Sequence, residues 1–257
     1  MAEHLWTGVA EAYARGFARL CAGTVSTMLS GIDAGTRLLD VGCGTGTLVE
    51  SARAAGIDAT GVEPDPEMAA LAGRRIGEVV VAGLPELPFD DGSFEVVTAN
   101  FVLNHVDDPR LAARELSRVV APGGVVRATV WPADPPPHGA LWSAVLDRAG
   151  AVRPKLPRLA EDLDFERSAE GLAAMLSESG LASGTAATLA WTWRVDPDDF
   201  LVGVGAVGNF GVTWRAQTDE VRRRMRDAYA EEVASRLVDG QLAFDVRCAY
   251  AEARAAG

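Results

Sequence analysis

Residues 38–46 read Leu-Leu-Asp-Val-Gly-Cys-Gly-Thr-Gly. An apolar run ending near an acid, followed by glycine at every second position, marks a buried strand turning into a loop that can hold a ligand. Gly42, Gly44 and Gly46 permit positive φ and let a ligand lie against bare backbone, while a following helix offers unpaired N–H groups. The spacing also separates ligands. A dinucleotide fingerprint requires its third glycine at position 47, which here is Thr47, and Gly46 comes one residue early. A tight strand-to-helix turn without ligand is the competing explanation of the glycines taken alone.

Working outward, Arg37 to Val41 forms the strand, and Leu48, Val49, Ala52 and Ala55 share one face of a helix stopped by Gly56. A second strand runs from Ala59 to Glu63. Asp65 caps the next helix with Pro66 in its first turn, and that helix reaches about Arg75. Val79 to Ala82 reads as a third strand. The turn-rich GLPELPFDDGS leads to a fourth, Phe94 to Ala99, and Asp108 with Pro109 repeats the cap before a helix ending near Val120. After Pro122, Gly123 and Gly124 a fifth strand runs to Trp131.

Alternating strands and helices of this kind give a parallel sheet. The segment WPADPPPH is too rich in proline for a central element, so residues 132–165 are expected to be an insertion or cap with a short helix from Leu141 to Arg148. Helices follow at Ala169 to Ser179, Pro197 to Val207 and Asp219 to Val238, the last with the stripe Val221, Met225, Tyr229, Val233 and Leu237. Thr188 to Val195 and the alternating Leu242, Phe244, Val246, Cys248 and Tyr250 are two late strands. The expected fold is α/β: a Rossmann-like, seven-stranded, mostly parallel sheet with helices on both faces and a helical cap. Its divisions are a helical lid segment at 1–34, a ligand-binding core at 35–131, the insertion at 132–165 and the rest of the α/β domain at 166–257.

Of 257 residues, 36 are acidic and 24 basic, a net charge of −12, which lacks the positive footprint needed to grip a phosphate backbone. Nucleic acid is a poor candidate partner. Cys21, Cys43 and Cys248 are odd in number and widely spaced, which argues against a disulfide framework or metal site and fits a reducing compartment. No apolar run approaches the roughly 20 residues that span a bilayer, and the start lacks a signal-peptide pattern. The reading is a cytoplasmic protein with no membrane or metal partner, compatible with a homodimer.

Glu63 stands where Rossmann-like folds place a carboxylate for a ribose diol, about twenty positions beyond the first glycine. A carboxylate accepts from two adjacent hydroxyls and repels a 2′-phosphate. Together with the stretch VVAGLPELPFDDGSFEVVTANFVLNHVDDP, the loop resembles the class I, Rossmann-like S-adenosylmethionine-dependent methyltransferases of small-molecule type over roughly residues 35–131.

That resemblance implies S-adenosylmethionine as cofactor and a small-molecule acceptor. It places Asp40 below the methionine end of the cofactor, orienting the loop or the amino group, the glycine loop with Gly42, Cys43, Gly44 and Gly46 against methionine and ribose, and Pro64 and Met68 beside the adenine. Family members commonly carry an acid before the small residue at the adenine edge. Here the pair is Gly83 and Leu84, so the acid is missing and the Leu84 backbone takes the role. Asn100 and Phe101 fall beside the reacting methyl group, with His105 as candidate general base and wall. Tyr13 and Trp6 belong to a segment that folds over the cofactor, where an aromatic ring favours a sulfonium.

His138, in the proline-rich segment, reads as a solvated loop histidine that a closed lid would bring to a pocket. Trp142, Trp191, Trp193 and Trp214 lie outside the core motifs and suit either an apolar acceptor pocket or core packing. The cluster Arg222, Arg223, Arg224 and Arg226 is expected to be a solvated face. Competing readings are a cofactor-binding protein of this fold that transfers no methyl group, a protein or RNA methyltransferase, and, more distantly, a dehydrogenase.

Overall fold

Strand β1 (Arg37–Val41) lies in the middle of the sheet, paired in parallel with β2 (Asp58–Val62) on one side and β3 (Phe94–Asn100) on the other. The computed structural model describes residues 6–156 and 158–257; His4 lies outside the described residues. Successive residues of β1 point to opposite faces, and both faces are covered: Leu39 and Val41 join one apolar cluster and Leu38 another. Helices Thr47–Ala54 and Val25–Leu29 cover the face with Leu38, and helices Pro109–Val119 and Ala169–Glu178 the opposite one.

The caps read from the sequence are formed. Asp65 accepts from Met68 N at 2.8 Å ahead of helix Pro66–Ile76, and Asp108 accepts from Leu111 N at 2.9 Å. Each such cap stabilises its helix by about 1 kcal/mol.

The strand order is β2-β1-β3-β4-β7-β5, with β4 at Val120–Val130, β5 at Ala182–Val195 and β7 at Gln241–Arg254. β4 runs parallel to β3, while β7 lies antiparallel to both of its long neighbours. The seven strands are not the expected seven. Val79 to Ala82 shrinks to one parallel bridge between Val62 and Val80, and the seventh strand is instead β6, Leu237–Val238, which pairs with the start of β7. Val81 is 57 % exposed, so this edge segment has little apolar burial to hold it in a longer ladder.

The last long helix ends at Ala234 rather than Val238, and Leu237 is exposed, so the apolar stripe stops at Val233. Two helices reach beyond their expected bounds or were not foreseen. Pro137–Ala149 begins four residues before Leu141, with Pro137 tolerated in its first turn, and Gly208–Arg215 follows Pro197–Ala206 directly.

β4 pairs with β7 only from Val125 to Val130, opposite Arg254 to Ala249. Beyond that point the chain leaves the sheet at Trp131, and β7 from Ala243 to Cys248 pairs with β5 alone. The far halves of β5 and β7 therefore project past the parallel core. They carry Trp193, Val195, Leu242, Phe244 and Val246 into a third cluster, built with the N-terminal segment and the helices at 137–149, 197–206 and 219–234. This is the helical cap. It takes in the 197–234 helices as well as the N-terminus and the 132–149 segment. The N-terminal helix Ala10–Arg15 is tied to it by an Arg15–Asp199 ion pair at 2.7 Å, and a Cβ at Gly16 would lie 2.8 Å from Gly203 Cα.

Candidate functional site

The departure of Trp131 from the sheet opens a cavity of about 1510 Å³ between the C-terminal ends of the parallel strands and the cap. Ligands in open α/β sheets bind in this position, where strand order reverses. One half is bounded by the β1 loop, the end of β2 and the segment at 82–85. The other is bounded by Trp131, residues 134–138, 207–210 and 245–247.

In the first half the glycine loop is positioned by backbone bonds. Cys43 N donates to Val62 O at 3.0 Å, and Gly46 N to Cys43 O at 2.9 Å. All three loop glycines have positive φ. Gly42 and Gly44 line the cavity, and a Cβ at Gly42 would lie 2.7 Å from Val102 Cγ2. Gly46 is off the wall, and a Cβ there would press on Ile76 at 3.1 Å. Cys43 also faces away: its Sγ would lie 3.0 Å from a Cβ at Gly61, and burial raises its thiol well above the ordinary range.

Asp40 is buried behind the wall, where Thr98 Oγ1 donates to its Oδ1 at 2.7 Å. Burial, partly opposed by that hydrogen bond, raises its pKa to about 7. Its place is beneath the loop, holding β1 to β3.

Glu63 does line the cavity. Its Oε2 accepts from Gly44 N at 3.0 Å and its Oε1 from Asp65 N at 3.1 Å, so one carboxylate fixes the glycine loop against the end of β2. Each oxygen keeps a further lone pair for a ligand hydroxyl. Burial raises its pKa, and the two backbone donors work against that shift.

Pro64, Met68, Gly83 and Leu84 join this wall. A Cβ at Gly83 would lie 2.8 Å from Pro64 Cβ, a steric reason for glycine beside this proline and for the missing acid. Tyr13 closes the other side, its ring 3.5 Å from where a Cβ of Gly44 would stand. Burial, followed by neighbouring Cys21, raises its hydroxyl well above the ordinary value, so the ring is a neutral wall.

Asn100, at the end of β3, borders both halves, yet its side chain is committed to the scaffold. Oδ1 accepts from Thr24 Oγ1 at 2.8 Å and from Thr129 Oγ1 at 2.7 Å, and Nδ2 donates to Cys21 O at 3.3 Å. Phe101 takes φ of +63°, a conformation costly for a bulky residue, and its N–H is held by Thr129 O and Thr129 Oγ1. This turns its ring onto Trp131, stacked at 4.0 Å between centroids with 10° between planes. Asn104 clamps the Trp131 backbone by accepting from its N–H at 2.7 Å and donating to its carbonyl at 3.3 Å.

His105 lines the cavity with its ring edge-on to Trp6 at 5.0 Å. Burial, then the charge of Arg167, lowers its pKa to about 4, so the imidazole is neutral at physiological pH. His138 is not a solvated loop residue. It is 4 % exposed, in the first turn of the helix Pro137–Ala149, and lines the second half of the cavity. Trp142 and Trp193 are core residues, each 2 % exposed.

Sequence reasoning did not single out Trp131, Phe210, Asp245 or Arg247 as lining residues. Their only signals were the proline-rich break after Trp131 and the strict alternation in β7, which sends Asp245 and Arg247 to the face opposite Phe244 and Val246 of the core cluster.

The architecture is that of a class I, Rossmann-like methyltransferase. Residues 39–128 match the methyltransferase domain family, and that match implies S-adenosylmethionine as the methyl donor. An uncharacterized methyltransferase of Mycolicibacterium vanbaalenii is 45 % identical over 104 residues, which is 38 % of this chain and 41 % of that protein. A demethylmenaquinone methyltransferase of Clavibacter sepedonicus is 40 % identical over 96 residues, 35 % of this chain and 39 % of its own. The chain thus spans about two fifths of the curated relatives it matches. Across the whole fold, the solved structure of an S-adenosylmethionine-dependent methyltransferase from Thermotoga maritima superposes with a TM-score of 0.57 at 16 % identity, covering 99 % of each chain.

The cradle fits this donor. Bare backbone at Gly42 and Gly44, a carboxylate with free lone pairs at Glu63 and an apolar slot at Pro64 and Met68 match a methionine, a ribose diol and an adenine in sequence. No helix among the described residues is long and apolar enough to cross a membrane.

Proposed function

We propose that the chain is an S-adenosylmethionine-dependent methyltransferase whose acceptor is a small, apolar or aromatic organic molecule. The observation that carries this reading is the continuity of the cavity, which joins the glycine loop and Glu63 to a wall of aromatic rings. The donor supplies an electrophilic methyl group on a sulfonium. What this chain contributes is placement and exclusion of water. Glu63 takes the ribose hydroxyls, Gly42 and Gly44 give the methionine portion close backbone approach, and Pro64, Met68 and the Leu84 backbone border the adenine. Tyr13 and Trp6 cover the donor. Phe101, held by Thr129, and Trp131 orient the acceptor ring.

Neutral His105 is the candidate proton acceptor. Its low pKa makes it a weak base, effective for an acceptor that is already acidic. The demethylmenaquinone methyltransferase among the relatives supports an aromatic acceptor, and the acidic balance of the chain favours a small molecule over nucleic acid.

Turnover tests the reading: the protein is incubated with S-adenosylmethionine and a panel of phenols, naphthols and quinols, and S-adenosylhomocysteine is quantified by mass spectrometry. Acceptor-dependent product is expected. Tight donor binding without product across the panel would favour a cofactor-binding protein that transfers no methyl group.

A further inference from the structure

The half of the cavity away from the glycine loop contains a buried histidine with one ring nitrogen unpaired. His138 lines this half, and no partner meets its Nδ1. Its surroundings are rings: Phe17, Trp193 and Phe210 stand 6.0, 5.4 and 5.7 Å away between centroids. Burial lowers its pKa to about 4, which leaves a neutral imidazole with one N–H donor and one lone-pair acceptor. An unmatched polar group in an apolar setting is unfavourable, and a ligand group that pairs with it removes that penalty. The ring cannot swing out to water cheaply, because Leu141, Trp142 and Val145 anchor the same helix in the core.

Charge narrows the ligand. Asp134 and Asp245 line this half, and the one cationic side chain on the cavity wall among the described residues, Arg247, is bound to Asp134 at 3.0 Å. An anionic ligand would meet carboxylates and no free cation.

We infer that His138 recognises a hydroxyl group on an uncharged aromatic acceptor whose ring lies among Phe17, Trp131 and Phe210. This rests on the methyltransferase reading for the word acceptor. A hydroxyl suits a neutral imidazole in either tautomer, since it donates to the ring lone pair or accepts from the ring N–H. A hydrocarbon leaves the nitrogen unpaired, and a carboxylate brings the wrong charge.

The test uses 2-naphthol, naphthalene and 2-naphthoate as probes, titrated into the full chain with and without saturating S-adenosylhomocysteine and followed by tryptophan fluorescence. 2-Naphthol is expected to bind at least about tenfold more tightly than either other probe. His138→Phe, which keeps a ring in place, should bind naphthalene like the native protein and lose the preference, and His138→Gln, which keeps a donor and an acceptor, should retain part of it. The inference is overturned by equal affinity of the native protein for 2-naphthol and naphthalene, by tightest binding of 2-naphthoate, by binding of no probe, or by a preference that survives in His138→Phe. Failure of S-adenosylhomocysteine to bind would instead sink the methyltransferase reading, and the titrations without it would still decide the role of His138.

Discussion

From Gly42 to Glu63 the cavity wall is backbone and one carboxylate, fixed by the register of β1 against β2. From Trp131 to Phe210 it is aromatic rings carried by helices and a proline-rich connection. The first half depends on local geometry that few residues can adopt: positive φ at the loop glycines and a carboxylate at Glu63 that accepts from two backbone N–H groups. The second half depends on side-chain packing between segments far apart in the chain, such as Phe17, Trp131 and Phe210. Local geometry leaves a motif in the sequence, whereas packing among distant segments leaves only composition. Damage to the first half should therefore remove donor binding and often stability, and damage to the second should change the acceptor and spare the donor.

The largest effect is expected from Gly42→Val. A β-branched residue at φ of +66°, with a Cβ 2.7 Å from Val102 Cγ2, combines backbone strain with overpacking. A loss of about 2–5 kcal/mol should result, read by denaturant unfolding, together with loss of S-adenosylhomocysteine binding. Native stability with native binding would show that the loop tolerates a side chain.

Asp40 gives the next effect. Its folded pKa of about 7 lies above the unfolded carboxylate value, so the fold is favoured while Asp40 is protonated and loses that advantage as pH rises from about 4 through 7. Asp40→Asn should match the native protein below pH 4 and exceed it at pH 8 by at most about 4 kcal/mol, seen as a Tm gap that opens with pH. A gap that does not change with pH would place the titration elsewhere.

Trp131→Ala is the smallest and most selective change. It removes the ring stacked on Phe101 and should raise KM for an aromatic acceptor about tenfold while leaving donor affinity within about twofold. Equal losses for donor and acceptor would mean that the two halves are not separable.

The legibility of the sequence follows the same division. The strand through Asp40, the alternating glycines, the placement of Glu63 on the cavity wall and both Asp-Pro helix starts were readable because each rests on a constraint within a few residues. Val79 to Ala82 was misread because its apolar composition matched a strand, while its position at the sheet edge leaves Val81 exposed and a single bridge at Val80. Gly46 was assigned beside the ligand from its place in the motif, yet a side chain there would press on Ile76; Asp40 bonds Thr98 and lies beneath the loop, in the loop-orienting place expected as one of its two roles. His138 was hidden for the opposite reason. Three prolines precede it, which suggested an exposed loop, and nothing local announces that five aromatic rings from distant segments converge around it.

Glu63 joins the glycine loop to the end of β2 and is the residue proposed to take the donor's ribose, so calorimetric titration of S-adenosylhomocysteine into the native protein and Glu63→Gln is the most direct test. Saturable binding to the native chain and at least tenfold weaker binding to the variant are expected, since an amide cannot accept from Gly44 N, Asp65 N and two ribose hydroxyls together. Equal affinity in the two proteins, or no binding to either, would contradict the assignment of this half of the cavity to the methyl donor.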